Sequence, residues 1–169
     1  LERGMVALGA KDDVYAALRE LGLSFEVDEH EPVFTIEEME ALGLNEKGMV
    51  VKNLFLRDQK GKKHFLVLLP SDRHADLKSI GEQLGAGKLS FASEERLAKY
   101  LGLSKGAVTP LGVMNDRDHA VEVAVERSLT SEPRLGVHPN ENTATVWLSW
   151  QDLKKYLDHF GARMRTIKL

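Results

Sequence analysis

Three short segments of this chain carry residue types that could act together on a carbonyl carbon. They are Lys52 with its neighbour Asn53, the run Gly106-Ala107-Val108-Thr109-Pro110, and the run Gly136-Val137-His138-Pro139. In the middle run a glycine admits backbone conformations closed to other residues, and a proline stiffens the exit. Such a loop can aim several peptide N–H groups at one point and polarise a carbonyl without an acidic side chain. Lys52 lies in an apolar stretch; in a strand its side chain points away from Val51, to the side of Val50 and Leu54. A lysine placed there either snorkels to water or serves a bound phosphate or carboxylate. His138, flanked by Gly136 and Pro139, reads either as a structural histidine at a strand end or as a pocket residue.

Other chemistries are poorly supplied. The chain has no cysteine, which excludes disulfides, thiolate zinc sites and a thiol nucleophile. His30, His64, His74, His119, His138 and His159 show no His-x-His or His-Glu-x-x-His spacing, so no metal site and no cofactor are expected. No Gly-x-Ser-x-Gly elbow supports a serine-hydrolase triad. Gly81 and Gly87-Lys88 stand one residue too far apart for a phosphate loop, and Leu89 occupies the magnesium-binding position; a helix C-cap is the better reading. The pairs Glu37-Glu38 and Glu94-Glu95 fall in first helical turns, where they complement the helix dipole.

The elements that must position these residues follow from periodicity and capping. Helices are predicted from Asp12-Asp13 to Gly22, from Thr35 (whose capping box with Glu38 opens a short helix) to Gly43, from Asp76 to Gly85, from Ser93 to about Leu101, and from Ser149 through Phe160. Strands are predicted over 24–28, 49–56, 64–69, 120–126 and 143–148, with a last edge strand over 162–167. The second and third form a hairpin turned by Asp58-Gln59-Lys60-Gly61, and Leu111, Val113 and Met114 make a short buried turn. The irregular mixture predicts one α+β, or mixed α/β, domain over 5–169, with 1–4 read as a remnant ahead of a native start at Met5.

Composition bounds the partners. A net charge of −3 argues against coating of long DNA, and no apolar run approaches the ~20 residues that cross a bilayer. A cytoplasmic location is the expectation, and nothing specifies an oligomeric state. Arg57, Lys60, Lys62 and Lys63 could still grip an RNA end locally.

Taken together, Val51-Lys52-Asn53-Leu54-Phe55-Leu56, Gly106-x-x-x-Pro110 continuing through Leu111-Gly112-Val113-Met114-Asn115-Asp116, and Gly136-Val137-His138-Pro139-Asn140 resemble the YbaK/ProX family of aminoacyl-tRNA deacylases. That editing domain is also found inserted in bacterial prolyl-tRNA synthetases. The resemblance runs from about His30 to Trp147. The Lys-Asn pair is closer to free-standing ProX-type members than to the YbaK branch, which usually has Lys-Thr. It implies a mixed sheet curled around the site with flanking helices, and hydrolysis in trans of Ala-tRNA(Pro). By position, Lys52 would orient the terminal adenosine or its phosphate, and Asn53 would bind substrate or fix the loop. Backbone N–H groups from Gly106 to Thr109 would favour the oxyanion. His138 would line the aminoacyl pocket beside Gly136, and Phe34 and Ile36 are added as candidates for its wall. A terminal-ribose hydroxyl and an ordered water would stand in for a side-chain base. Two alternatives remain: a module that binds the aminoacylated 3′ end without turnover, and a deacylase for Cys or Ser.

Overall fold

The computed structural model describes residues 10–169; the expected start at Met5 and the segment before it lie outside the described residues. Eight strands form one mixed sheet: β1 (Glu26–Glu29), β2 (Met49–Asp58), β3 (His64–Pro70), β4 (Leu89–Phe91), β5 (Val121–Glu126), β6 (Leu135–Val137), β7 (Ala144–Leu148) and β8 (Arg163–Ile167). The order is β1-β7-β6-β2-β3-β5-β8, with β4 added to β2. Pairing is antiparallel for β1–β7, β6–β7, β2–β3 and β2–β4, and parallel for β2–β6, β3–β5 and β5–β8. The helices are α1 (Lys11–Glu20), α2 (Ile36–Ala41), α3 (Leu77–Leu84), α4 (Glu94–Leu101) and α5 (Trp150–His159).

Both faces of the sheet are covered. Alternation along β2 sends Val51 and Phe55 into the larger core with Val14 and Leu18 of α1, Leu97 and Leu101 of α4, and Leu153 and Tyr156 of α5. Leu54 and Leu56 go to the opposite face, under Ile80 and Leu84 of α3. Every residue of β3 is buried, as its unbroken apolar run requires of a central strand. A third cluster joins Val33, Met39, Leu44, Val50 and Trp147, and it seats α2 against the start of β2. Lys52 therefore projects between two apolar clusters, on the face that alternation assigns to it.

The helix ends follow the expected chemistry. Thr35 and Glu38 form a reciprocal capping box, Asp76, Ser93 and Ser149 cap α3, α4 and α5, and Gly85 ends α3 in the left-handed region at φ 65°. The hairpin is longer than predicted, reaching Asp58 and Pro70. Two strands escape sequence reading, β4 and β6, each of three residues and the latter with glycine at its centre.

Candidate active site

Register brings the three candidate segments together. β6 runs parallel to the start of β2, with Met49 opposite Leu135 and Val50 opposite Gly136. Two residues further along each strand direction come Lys52 and His138, and both line one cavity. The chain then turns through Asn140, at φ 64°, and returns as β7. Across this turn the His138 Nδ1 lies 3.0 Å from the Ala144 carbonyl, so Nδ1 carries the proton and Nε2 keeps its lone pair.

The loop after α4 is pinned to the same place by Thr109. Its hydroxyl donates to the His138 carbonyl at 2.6 Å and accepts from the Leu111 amide at 3.2 Å, which opens a 3-10 helix over Pro110–Asn115. The Tyr156 hydroxyl holds that helix from α5, donating to the Leu111 carbonyl at 2.7 Å. Fully buried, Thr109 ties the loop to the histidine segment.

A cavity of about 170 Å³ opens where these segments meet. Lys52 and Asn53 line it from β2, Gly106 and Val108 from the loop, and Gly136, Val137 and His138 from β6 and its exit. Val33 to Ile36 and Met39 close it from the start of α2. Hence Lys52, Asn53, Gly106, Val108, Gly136, His138, Phe34 and Ile36 share one cavity, while Ala107, Thr109 and Pro110 are buried behind the lining. The Ala107 amide is committed to the Ser104 carbonyl at 3.0 Å, so it is not one of the amides open to the cavity. Phe34 is 69% exposed and stands at the rim, not in an enclosing wall. Met39 and Val50, both buried, complete the apolar side. Met39 was missed by sequence reasoning, although it lies three residues after Ile36 and so on the same helical face.

The polar groups of the cavity are unevenly satisfied. The Lys52 Nζ donates to the Arg73 carbonyl at 2.7 Å and has no carboxylate partner among the described residues. Asn53 donates through Nδ2 to its neighbour Val51 at 3.1 Å, while its Oδ1 is buried without a partner. Burial pushes the His138 imidazole below its ordinary range, aided by repulsion from His30, against a smaller opposing effect of the Ala144 bond. Among the described residues no carboxylate lines the cavity, and no three His, Asp or Glu side chains come together as a metal site. The cations of the hairpin turn are elsewhere. Lys60, Lys62 and Lys63 follow Asp58, and six residues of strand put that turn about 20 Å from Lys52. No helix among the described residues is long and apolar enough to cross a membrane.

This is an acyl-sized cavity, open at its mouth, lined by one cation, by the backbone of a Gly-to-Pro loop and by a neutral imidazole, on a mixed α/β sheet. The profile of the aminoacyl-tRNA editing domain matches residues 30–156, and the chain belongs to that family, whose chemistry is hydrolysis of the ester joining an amino acid to tRNA. It is 48% identical to the prolyl-tRNA editing protein ProX of Acetoanaerobium sticklandii, over 96% of this chain and 99% of that protein. Against the prolyl-tRNA synthetase associated domain-containing protein 1 of Mus musculus it is 38% identical, over 83% of this chain and 85% of that one. Among solved structures, that of hypothetical protein APE2540 superposes with a TM-score of 0.70 at 21% identity, covering 91% of this chain and 96% of the other, which establishes the shared fold.

Proposed function

We propose that this protein hydrolyses mischarged tRNA in trans, with alanine esterified to proline tRNA as its substrate. The observation that carries the reading is the convergence of Lys52, the Gly106–Val108 backbone and His138 on one small cavity. Its volume of about 170 Å³ falls short of the ~300–1,000 Å³ typical of sites that enclose a whole drug-sized ligand. The aminoacyl group is enclosed, then, and the terminal nucleoside stays at the mouth. There Phe34 offers its open ring face to the terminal base, since unpaired RNA ends are held by stacking on aromatic side chains.

Each lining group has a task in that arrangement. Lys52, with no anion of its own, takes the phosphate or ribose of the terminal adenosine and fixes the ester. The amides of Gly106 and Val108 receive the oxyanion that forms as water adds to the carbonyl, and the ribose oxygen leaves with a proton. His138 Nε2 is a neutral acceptor suited to an α-ammonium, which separates an aminoacyl ester from other acyl groups. An activated ester needs no strong base once positioned, and a ribose hydroxyl with a water supplies the proton relay. Ile36, Met39 and Val50 set the size limit. Since one methylene is worth only ~1–3 kcal/mol in an apolar pocket, rejection of proline rests on its ring clashing with this wall.

The test is Lys52→Ala. Its deacylation of Ala-tRNA(Pro) is expected to drop at least ~100-fold with the thermal transition unchanged within a few degrees. Full activity in the folded variant would show that the cavity is not the reaction centre.

A further inference from the structure

Among the described residues two carboxylates are buried, Asp116 and Glu126, and neither has a part in the proposed chemistry. Glu126, at the end of β5, is only 2% exposed. It accepts from the Ser128 amide at 3.0 Å, from the Ser128 hydroxyl and from the Leu169 amide at 3.3 Å. Burial works against its charge, but these bonds and the Arg73 guanidinium together hold its carboxyl below the usual carboxylate range. Arg73 Nη1 stands 3.5 Å from Glu126 Oε2 and donates to the Leu169 main-chain oxygen at 2.8 Å. The other end of the same residue accepts the Lys52 amine at 2.7 Å.

Arg73 sits in the turn that leaves β3. Its amide bonds to Pro70 at 3.0 Å, and Ser71 bonds back to Val50, also at 3.0 Å. Among the described residues, its guanidinium is the side-chain anchor between this turn and the buried end of β5. A carbonyl carried on an unanchored turn would let a four-carbon amine swing between water and the cavity. Anchored, the carbonyl holds Lys52 in one place and leaves its charge uncancelled for an incoming phosphate, which a carboxylate partner would not.

We propose that Arg73, clamped by Glu126, is a positioning residue that fixes the Lys52 amine at the cavity. The consequence for turnover rests on the deacylase reading above; the fixing of Lys52 does not. Two readouts separate them. In the first, the H–N correlation of the Lys52 ammonium is observed by NMR and assigned by its loss in Lys52→Ala. A held amine gives a slowly exchanging signal in the wild-type protein. Arg73→Ala is expected to abolish it, and Arg73→Lys, which keeps a cation against Glu126, to restore much of it. In the second, Arg73→Ala lowers the deacylation rate about tenfold or more, as a small misplacement of a positioning group does. In a Lys52→Ala background the same change costs nothing further, because both act through one amine. Glu126→Gln, isosteric with the native residue, is the milder arm should Arg73→Ala fail to fold, and is expected to act in the same direction.

The proposal is overturned if the wild-type protein shows no protected Lys52 signal, if Arg73→Ala leaves signal and rate unchanged, or if the rate effects of the two substitutions multiply. A wild-type protein that cleaves no aminoacyl-tRNA defeats the deacylase reading alone, and the NMR signal still decides the role of Arg73.

Discussion

Burial keeps the His138 imidazole neutral at pH 7, and this gives the site a pH dependence of definite sign. The folded state resists a proton that the unfolded chain accepts near the ordinary histidine value of ~6.5. Stability from this group is therefore complete above about pH 6.5 and is lost as pH falls below it. Protonating Nε2 would also remove an acceptor and set a cation against the substrate ammonium, with His30 only 6.4 Å away ring to ring. The expected pH profile of kcat/KM is flat through neutrality, with an acid limb below ~6.5 that disappears in His138→Gln. An acid limb retained in that variant would assign it to another group. At this scale the chain is partly legible from its sequence. The face of Lys52 follows from strand alternation, and the Gly-to-Pro loop announces its special backbone. Arg73 gives no such signal, since it meets Lys52 through its main-chain oxygen, and Met39 gives only a weak one, its place on the helical face of Ile36.

Elements bring these residues together through close approaches that leave no room for a side chain. A Cβ at Gly136 would stand 2.5–3.0 Å from three ring atoms of Trp147, which is buried and cannot give way. Gly136→Ala is expected to destabilise the fold by about 1–3 kcal/mol, as overpacking does. For a chain of this size that is roughly 2–4 °C of Tm per kcal/mol, read by thermal unfolding. A Cβ at Gly106 would meet the Phe34 ring at 2.7 Å and the Asn142 Nδ2 at 3.0 Å, but the ring is exposed and both are side-chain ends that can shift. Gly106→Ala should leave Tm nearly unchanged while lowering kcat, because it disturbs the amides and not the core. If the two variants behaved alike, the division between a structural and a functional glycine would be wrong. The β2–β3 hairpin is legible because ten and seven residues alternate or run apolar around a clear turn. β6 is not, since three residues with a central glycine carry no periodicity, yet its parallel pairing with β2 sets His138 beside Lys52.

For the whole molecule, a net charge of −3 means that affinity for tRNA cannot come from a general positive field. On the proposed reading, recognition concentrates at the 3′ end, and the hairpin cations, about 20 Å from Lys52, would face the flanking stem and not the terminal nucleotide. The mixed sheet itself is foreseeable from irregularly interleaved strands and helices. Its strand order is not, because β5 joins β3, and β8 joins β5, through long connections that no local pattern encodes. The most direct test of the account is a deacylation panel with the wild-type protein on proline tRNA charged separately with alanine, serine, cysteine and proline. Rapid release of alanine with proline left intact is the expected result. Equal release of alanine and proline, or none of either, would contradict a size-limited cavity acting on the aminoacyl ester.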